Sequence, residues 1–588
     1  MTAVHERRST DTVLWRPTER LRWAQERARS AGVVASPEVM GTCRLTRHSF
    51  ARSMLRHAGD RRWQVTRERW EMDVGGRGEA VYRVDAEGIQ LRFVIFSTTI
   101  GDDQRTDRVI AASWDVTAAL IEGDLPDERM AFLRENVPGQ ETGRADVGSL
   151  VWTRANRSQR FFDYTVDRLA AGLQPEPEVL GDAAYILRST AFYSNGKFGL
   201  RDFEGLPVQH PLAVPYRAQM LAAWLLRELS YDLVEHCARQ RSTHAVALSG
   251  QWRRFLGLGN ATGLGMVPYI VNHPRVLDAW CALRELPLAY ALAQSTEPDD
   301  GRVSRLAGLL SRARHYFAER GGLATDPYLS GPDLADHLAT LRGLLEQYQD
   351  SGQIAGHSTT FAWRALHDAA DHVHPEARGV LESLLVELYD ELDDDIELML
   401  RCDESLGLRA EQSCQALLEL IESGYAWVDH FDFDDPEQSY YFWFVSANSE
   451  EPRRGRRGHD PGEQVEQPVD IARAVSALRR DLRAADRATS VAEFLLSAPW
   501  HRGAVCRVQS LATVPWAETQ ANLLARDFLP LHLQRFQLAV YGMDNYSPQS
   551  TDWLRVTLFS GAPRAADIAA GVNDDDWLFT RKPEGEHT

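Results

Sequence analysis

Lysine is almost missing from this chain. Its 588 residues hold 63 arginines but only two lysines, Lys197 and Lys582. Arginine is always charged and presents a planar fork, whereas lysine can lose its proton when buried and act as a nucleophile or base. A lysine kept inside an arginine-rich chain is therefore a candidate for amine chemistry, although a GC-rich genome also writes arginine for lysine.

Cysteine is scarce too, with six residues that form neither a CxxC pair nor a zinc spacing. This excludes a zinc module and a disulfide-stapled scaffold and points to a reduced, cytoplasmic protein. No apolar run approaches the ~20 residues of a membrane span. The twin arginine Arg7-Arg8 has no apolar segment behind it, so no export signal is expected. Positive charge is in deficit: the net charge is −19, which argues against nucleic acid or an anionic membrane as partner. A local arginine cluster can still hold a small anion, because a pocket's field depends on nearby charges.

What is present fits an α+β multidomain chain, predominantly helical, with an N-terminal antiparallel meander and a large helical body. The expected division is 1–60, a polar helical lid or brace; 61–175, an α+β domain; 176–430, a mainly helical domain; and 431–588, a mixed region with a mobile loop at 449–468 and a frayed acidic tail from Asn573. From Trp63 the period changes to alternation, predicting strands in RWQVTRERWEM, EAVYRV and IQLRFVIFS, joined by Gly75-Gly76-Arg77-Gly78 and Asp85-Ala86-Glu87-Gly88. Further strands are expected at Val109–Trp114, Ser149–Thr153, Thr243–Ser249, SYYFWFV and WLRVTLF, and helices at Asp127–Asn136 and Ser158–Ala171. The strongest helix is predicted from Val214 to Arg239, where Met220, Leu221, Trp224, Leu225, Leu229, Leu233 and Val234 recur at helical intervals. Six more helices are expected between 274 and 423.

The stretch from Arg188 to Asp202, RSTAFYSNGKFGLRD, carries Lys197 between Gly196 and Gly199. Glycines let backbone amides approach a ligand closely. Lys197 is the candidate nucleophile, base or anion clamp, with Tyr193 and Asp202 as proton carriers and Arg188, Arg201 and Asn195 as binding groups. A plain Asn-Gly turn explains the same glycines. A second glycine-rich run, Gly257, Gly259, Asn260, Thr262, Gly263 and Gly265, precedes Pro268 and reads as a loop entering a helix whose free amides can hold an anion. Thr262 breaks the dinucleotide fingerprint and no Walker lysine follows. A closely packed connection is its ordinary alternative.

Arg154, Arg157 and Arg160 form a third candidate for a carboxylate or phosphate, with 157 and 160 on one helical face; pairing with Asp163 and Asp167 is the plainer account. His367, Asp371, His372 and His374 lack a third ligand at useful spacing, so no metal is assigned. The carboxylates Glu387, Asp390, Glu391, Asp393, Asp394, Asp395 and Glu397 read as a solvated helix face, and Arg453, Arg454, Arg456 and Arg457 as a solvated loop. No G-x-S-x-G, HExxH, EF-hand or kinase set occurs. The sequence thus points to an enzyme acting on an anionic small molecule, with reaction class, cofactor and oligomeric state undetermined. A non-catalytic helical interaction or regulatory protein is the rival.

Overall fold

The computed structural model describes residues 18–101, 113–140, 146, 148–180, 184–189, 206–207, 209–263, 274–320, 330–401, 408–435, 440–443, 453–456, 468–510, 516, 529–543, 545–548, 553–572 and 577–583.

Alternation in the first hundred residues folds as expected. Strands β1 (Gln64–Met72), β2 (Gly78–Ala86) and β3 (Ile89–Ser97) form the antiparallel meander. Between β2 and β3, Glu87 and Gly88 both take positive φ (54° and 87°) and Ala86 pairs with Ile89. That is the two-residue hairpin whose twist suits the flanking strands, and it fixes the register. β4 (Val116–Glu122) and β5 (Ser149–Arg157) continue the meander. Of the expected strand Val109–Trp114, residues 109–112 lie outside the described residues; the run VTAALI of β4 was not anticipated, being buried throughout and so showing no alternation to read. β5 extends past the expected end at Thr153 and takes Arg154 and Arg157 into the sheet.

The sheet does not stop there. β6 (Tyr185–Ser189) and β7 (Gly257–Gly263) join it, followed after two small hairpins, β8 (Gln353–Ile354) with β9 (His357–Ser358) and β10 (Tyr440–Trp443) with β11 (Arg453–Arg456), by β12 (Asn545–Pro548) and β13 (Trp553–Leu558). The order is β1-β2-β3-β4-β5-β6-β7-β13-β12, nine strands in all. Every neighbouring pair is antiparallel except β6 and β7, which run parallel. Arg453–Arg456, expected in a solvated loop, instead pairs with Tyr440–Trp443. Residues 243–249 form a turn and a link rather than the expected strand.

Both faces of the sheet are covered. On one, Met130 and Leu133 of the helix Asp127–Asn136 pack on Val81, Val94, Phe96, Ala119, Ile121 and Trp152. On the other runs the 25-residue helix Arg217–Arg241, close to the strongest helix read from the sequence. Its apolar residues join a core that takes side chains from Leu21 to Phe579, so the core crosses positions 60, 175 and 430 and the sheet crosses 175 and 430. Helices Cys414–Gly424, Pro468–Ala484, Val491–Ser497 and Arg502–Ser510 enclose a second core of their own.

The carboxylate run is solvated only in part: Asp390 and Asp394 are exposed, but others are paired with arginines. Arg52 makes a bidentate pair with Glu387 (2.6 and 2.9 Å), Arg47 one with Asp393 (2.8 and 2.7 Å), and Arg217 one with Glu397 (3.1 and 2.7 Å). Arg29 bridges Glu285 and Glu382 at 2.7 and 2.8 Å, and Arg284 also meets Glu382. Three of these arginines, Arg29, Arg47 and Arg52, lie in residues 29–52, so the N-terminal segment is a brace. The sequence hid this because the partners stand hundreds of positions apart. The tail also differs from expectation: Trp577, Leu578 and Phe579 are buried, and Trp577 stacks on Phe559 at 6.2 Å between ring centroids.

Candidate functional site at the parallel strand pair

The parallel pair has a simple geometric consequence. β6 ends at Ser189 and β7 ends at Gly263, on the same edge of the sheet. The stretch bearing Lys197 starts where β6 stops, and the rest of the second glycine-rich run starts where β7 stops. In register, Arg188 lies beside Gly259 on one side and Asn156 on the other. Lys197, Tyr193, Asn195, Gly196, Gly199, Arg201, Asp202 and Gly265 lie outside the described residues.

As far as Gly263 the second run is a strand rather than a loop, and the expected helix entry near Pro268 lies outside the described residues. Its sequence GLGNATG has little strand propensity and is held by its neighbours β6 and β13. The room beside its first two glycines is taken by the chain itself. A Cβ on Gly257 would meet the Leu558 carbonyl and the Thr557 methyl, and one on Gly259 would meet the Tyr185 ring. These glycines serve strand packing, and Tyr185 fills the space an anion would have needed there. Thr262 and Gly263 pair through the backbone with Leu554 and Trp553.

Arg154 and Arg157 sit on β5, so they and Arg160 share no helical face. The Arg154 guanidinium lies 4.1 Å over the Trp114 ring, and burial lowers its pKa. Arg157 donates to the carbonyls of Gly75 and Gly76 (3.0 and 3.1 Å) and covers Phe162, bracing the first hairpin. Asp163 and Asp167 pair with Arg241 instead. His367 bonds Glu382 at 3.0 Å, Asp371 pairs with Arg378 at 2.6 Å, and His374 caps the helix Pro375–Val386. Among the described residues no group of three or more His, Cys, Asp or Glu side chains is arranged to hold a metal.

Beneath β7 lies a residue that the sequence reading passed over. Arg227, wholly buried on the long helix, donates to the carbonyls of Arg253, Arg254, Leu256, Ala562 and Pro563 at 2.9–3.1 Å. It ties the start of β7 to the segment after β13. An arginine amid leucines at helical spacing was the available signal. Burial raises the carboxyl of its neighbour Glu228 against the charge of Arg227. Two buried side-chain oxygens on the strands of the site, Asn260 Oδ1 and Thr557 Oγ1, have no hydrogen-bond partner among the described residues.

Comparisons with protein-family models, curated proteins and solved structures find no match. Any functional reading therefore rests on the chain's own chemistry.

Proposed function

We propose that this protein is an enzyme acting on an anionic small molecule bound at the C-terminal edge of β6 and β7, with Lys197 as its amine nucleophile, base or anion clamp. The carrying observation is topological: the stretch bearing Lys197 follows the end of β6 in sequence, and the rest of the second glycine-rich run follows the end of β7, the adjacent parallel strand. In open sheets, ligands dock outside the carboxyl ends of parallel strands where the connections diverge. Arg188 brings a guanidinium to that edge, and Tyr193, Asp202, Arg201, Asn195 and the glycines 196, 199 and 265 complete the proposed lining. A cytoplasmic setting is part of the reading, supported by five described cysteines that are all free thiols. No helix among the described residues is long and apolar enough to cross a membrane.

Lys197→Arg and Lys197→Met test the role of the amine. Small molecules that copurify with the wild-type protein are identified by native mass spectrometry and offered to both variants. Loss of binding in Lys197→Met with retention in Lys197→Arg marks a clamp, loss of turnover in both marks amine chemistry, and equal handling by all three forms removes Lys197 from the site. Borohydride trapping with carbonyl compounds, read as a mass increment on the peptide 194–201, isolates the Schiff-base version.

A non-catalytic interaction or regulatory protein is the second reading. It is favoured by the separate helical core, whose outer surface exposes Leu496 (86%) and Trp500 (71%).

A further inference from the structure

The unpaired oxygen of Asn260 says something about the ligand itself. Thr153, Ser189 and Asn260 stand on the adjacent strands β5, β6 and β7, each only 1% exposed. The Thr153 and Ser189 hydroxyls are 3.5 Å apart, and Ser189 Oγ donates to the Arg154 carbonyl at 2.9 Å. Asn260 Nδ2 donates to the backbone carbonyl of Ser189. A carbonyl only accepts, so the amide nitrogen must face it and Oδ1 must point away. There Oδ1 meets no donor among the described residues. A buried acceptor without a donor is destabilising and rare in folded proteins. This one lies beside the last residue of β6, at the edge where the anion is proposed to bind.

We infer that Asn260 Oδ1 accepts a hydrogen bond from the ligand, so that the ligand is an anion also carrying a hydroxyl or amine, such as a hydroxy acid, an amino acid or a hydroxylated phosphate ester. The inference rests on the reading of this edge as an anion site and narrows its substrate class. A site built around a hydrogen bond rejects the analogue that lacks the donor, because its own polar group is then left unpaired.

The test uses pairs of probes differing by one hydroxyl, lactate with propionate and glycerol 3-phosphate with propyl phosphate, titrated calorimetrically into the full-length wild type, Asn260→Leu and Asn260→Ala. The wild type is expected to bind at least one hydroxylated probe about tenfold or more tighter than its partner. Both variants should lose that preference, binding the two members of each pair equally. Equal affinities within both pairs, or a preference that survives in the variants, would each overturn the inference while leaving the anion site standing. If no probe binds the wild type at all, the anion-site reading falls and this inference with it.

Discussion

Removing the Glu397 carboxylate should destabilise the protein by an amount that shrinks as the pH falls. Burial alone would raise this carboxyl, but the hydrogen bonds and charge of Arg217, with His57 and Arg401, outweigh it and hold the pKa at about 2 against an ordinary 4.5. Arg217 reaches it at 2.7 and 3.1 Å and Arg401 at 2.8 Å, while His57 stands 3.5 Å away. A carboxyl held that far down in the fold stabilises it by about 3 kcal/mol at neutral pH. The sign follows from the depressed value: the contribution is complete above 4.5 and is lost as the pH falls through 2. Glu397→Gln should therefore cost about 3 kcal/mol at pH 7, about 1 kcal/mol at pH 3 and under about 0.5 kcal/mol at pH 2. Urea unfolding followed by tryptophan fluorescence at the three pH values measures the gap. A gap that does not change with pH, or none at pH 7, would refute the argument that Arg217 and its neighbours hold this carboxylate in its charged form.

Three further outcomes are expected. Gly259→Ala should cost about 1–3 kcal/mol by forcing the Tyr185 ring off the strand, and the double variant with Tyr185→Ala should be less than additive in urea midpoints. Arg227→Met should cost at least about 3 kcal/mol, because five buried carbonyls lose a donor together; hydrogen exchange should quicken at β7 and β13 before the first hairpin. Truncation after residue 572 should lower stability by about 5 kcal/mol, since it strips Trp577, Leu578 and Phe579 from the core; an unchanged melting temperature would contradict the burial of the tail.

Legibility followed the range of the interaction that fixes each element. The meander could be read because alternation and turn chemistry are local: RWQVTRERWEM, EAVYRV and IQLRFVIFS carry both, and Glu87-Gly88 makes the hairpin it suggests. The helix Arg217–Arg241 could be read because its apolar residues recur at its own period. β6, β7 and β12 could not, being short or rich in glycine and taking strand form from their partners; those of β7 include Leu554 and Val556, far along the chain. The same holds for Glu387, Asp393 and Glu397, whose acidic run looks solvated until Arg52, Arg47 and Arg217 are placed against it. At the site, Lys197 and the glycine-rich run were visible as chemistry, but that their segments leave one sheet edge together is a property of topology. Gly257 and Gly259 turned out to make room for Thr557 and Tyr185, a role that no local pattern separates from cradling an anion.

The placing of β13 between β7 and β12 sets an order of events during synthesis. Until Trp553–Leu558 leaves the ribosome, β7 is a bare sheet margin with unpaired amides and carbonyls. Everything between Gly263 and Trp553 must be made before that margin is closed, and a pairing across so long a separation is slow to form. A nascent chain therefore carries an open template for aggregation at the very strand where the ligand is proposed to bind, until Trp553–Leu558 pairs with it.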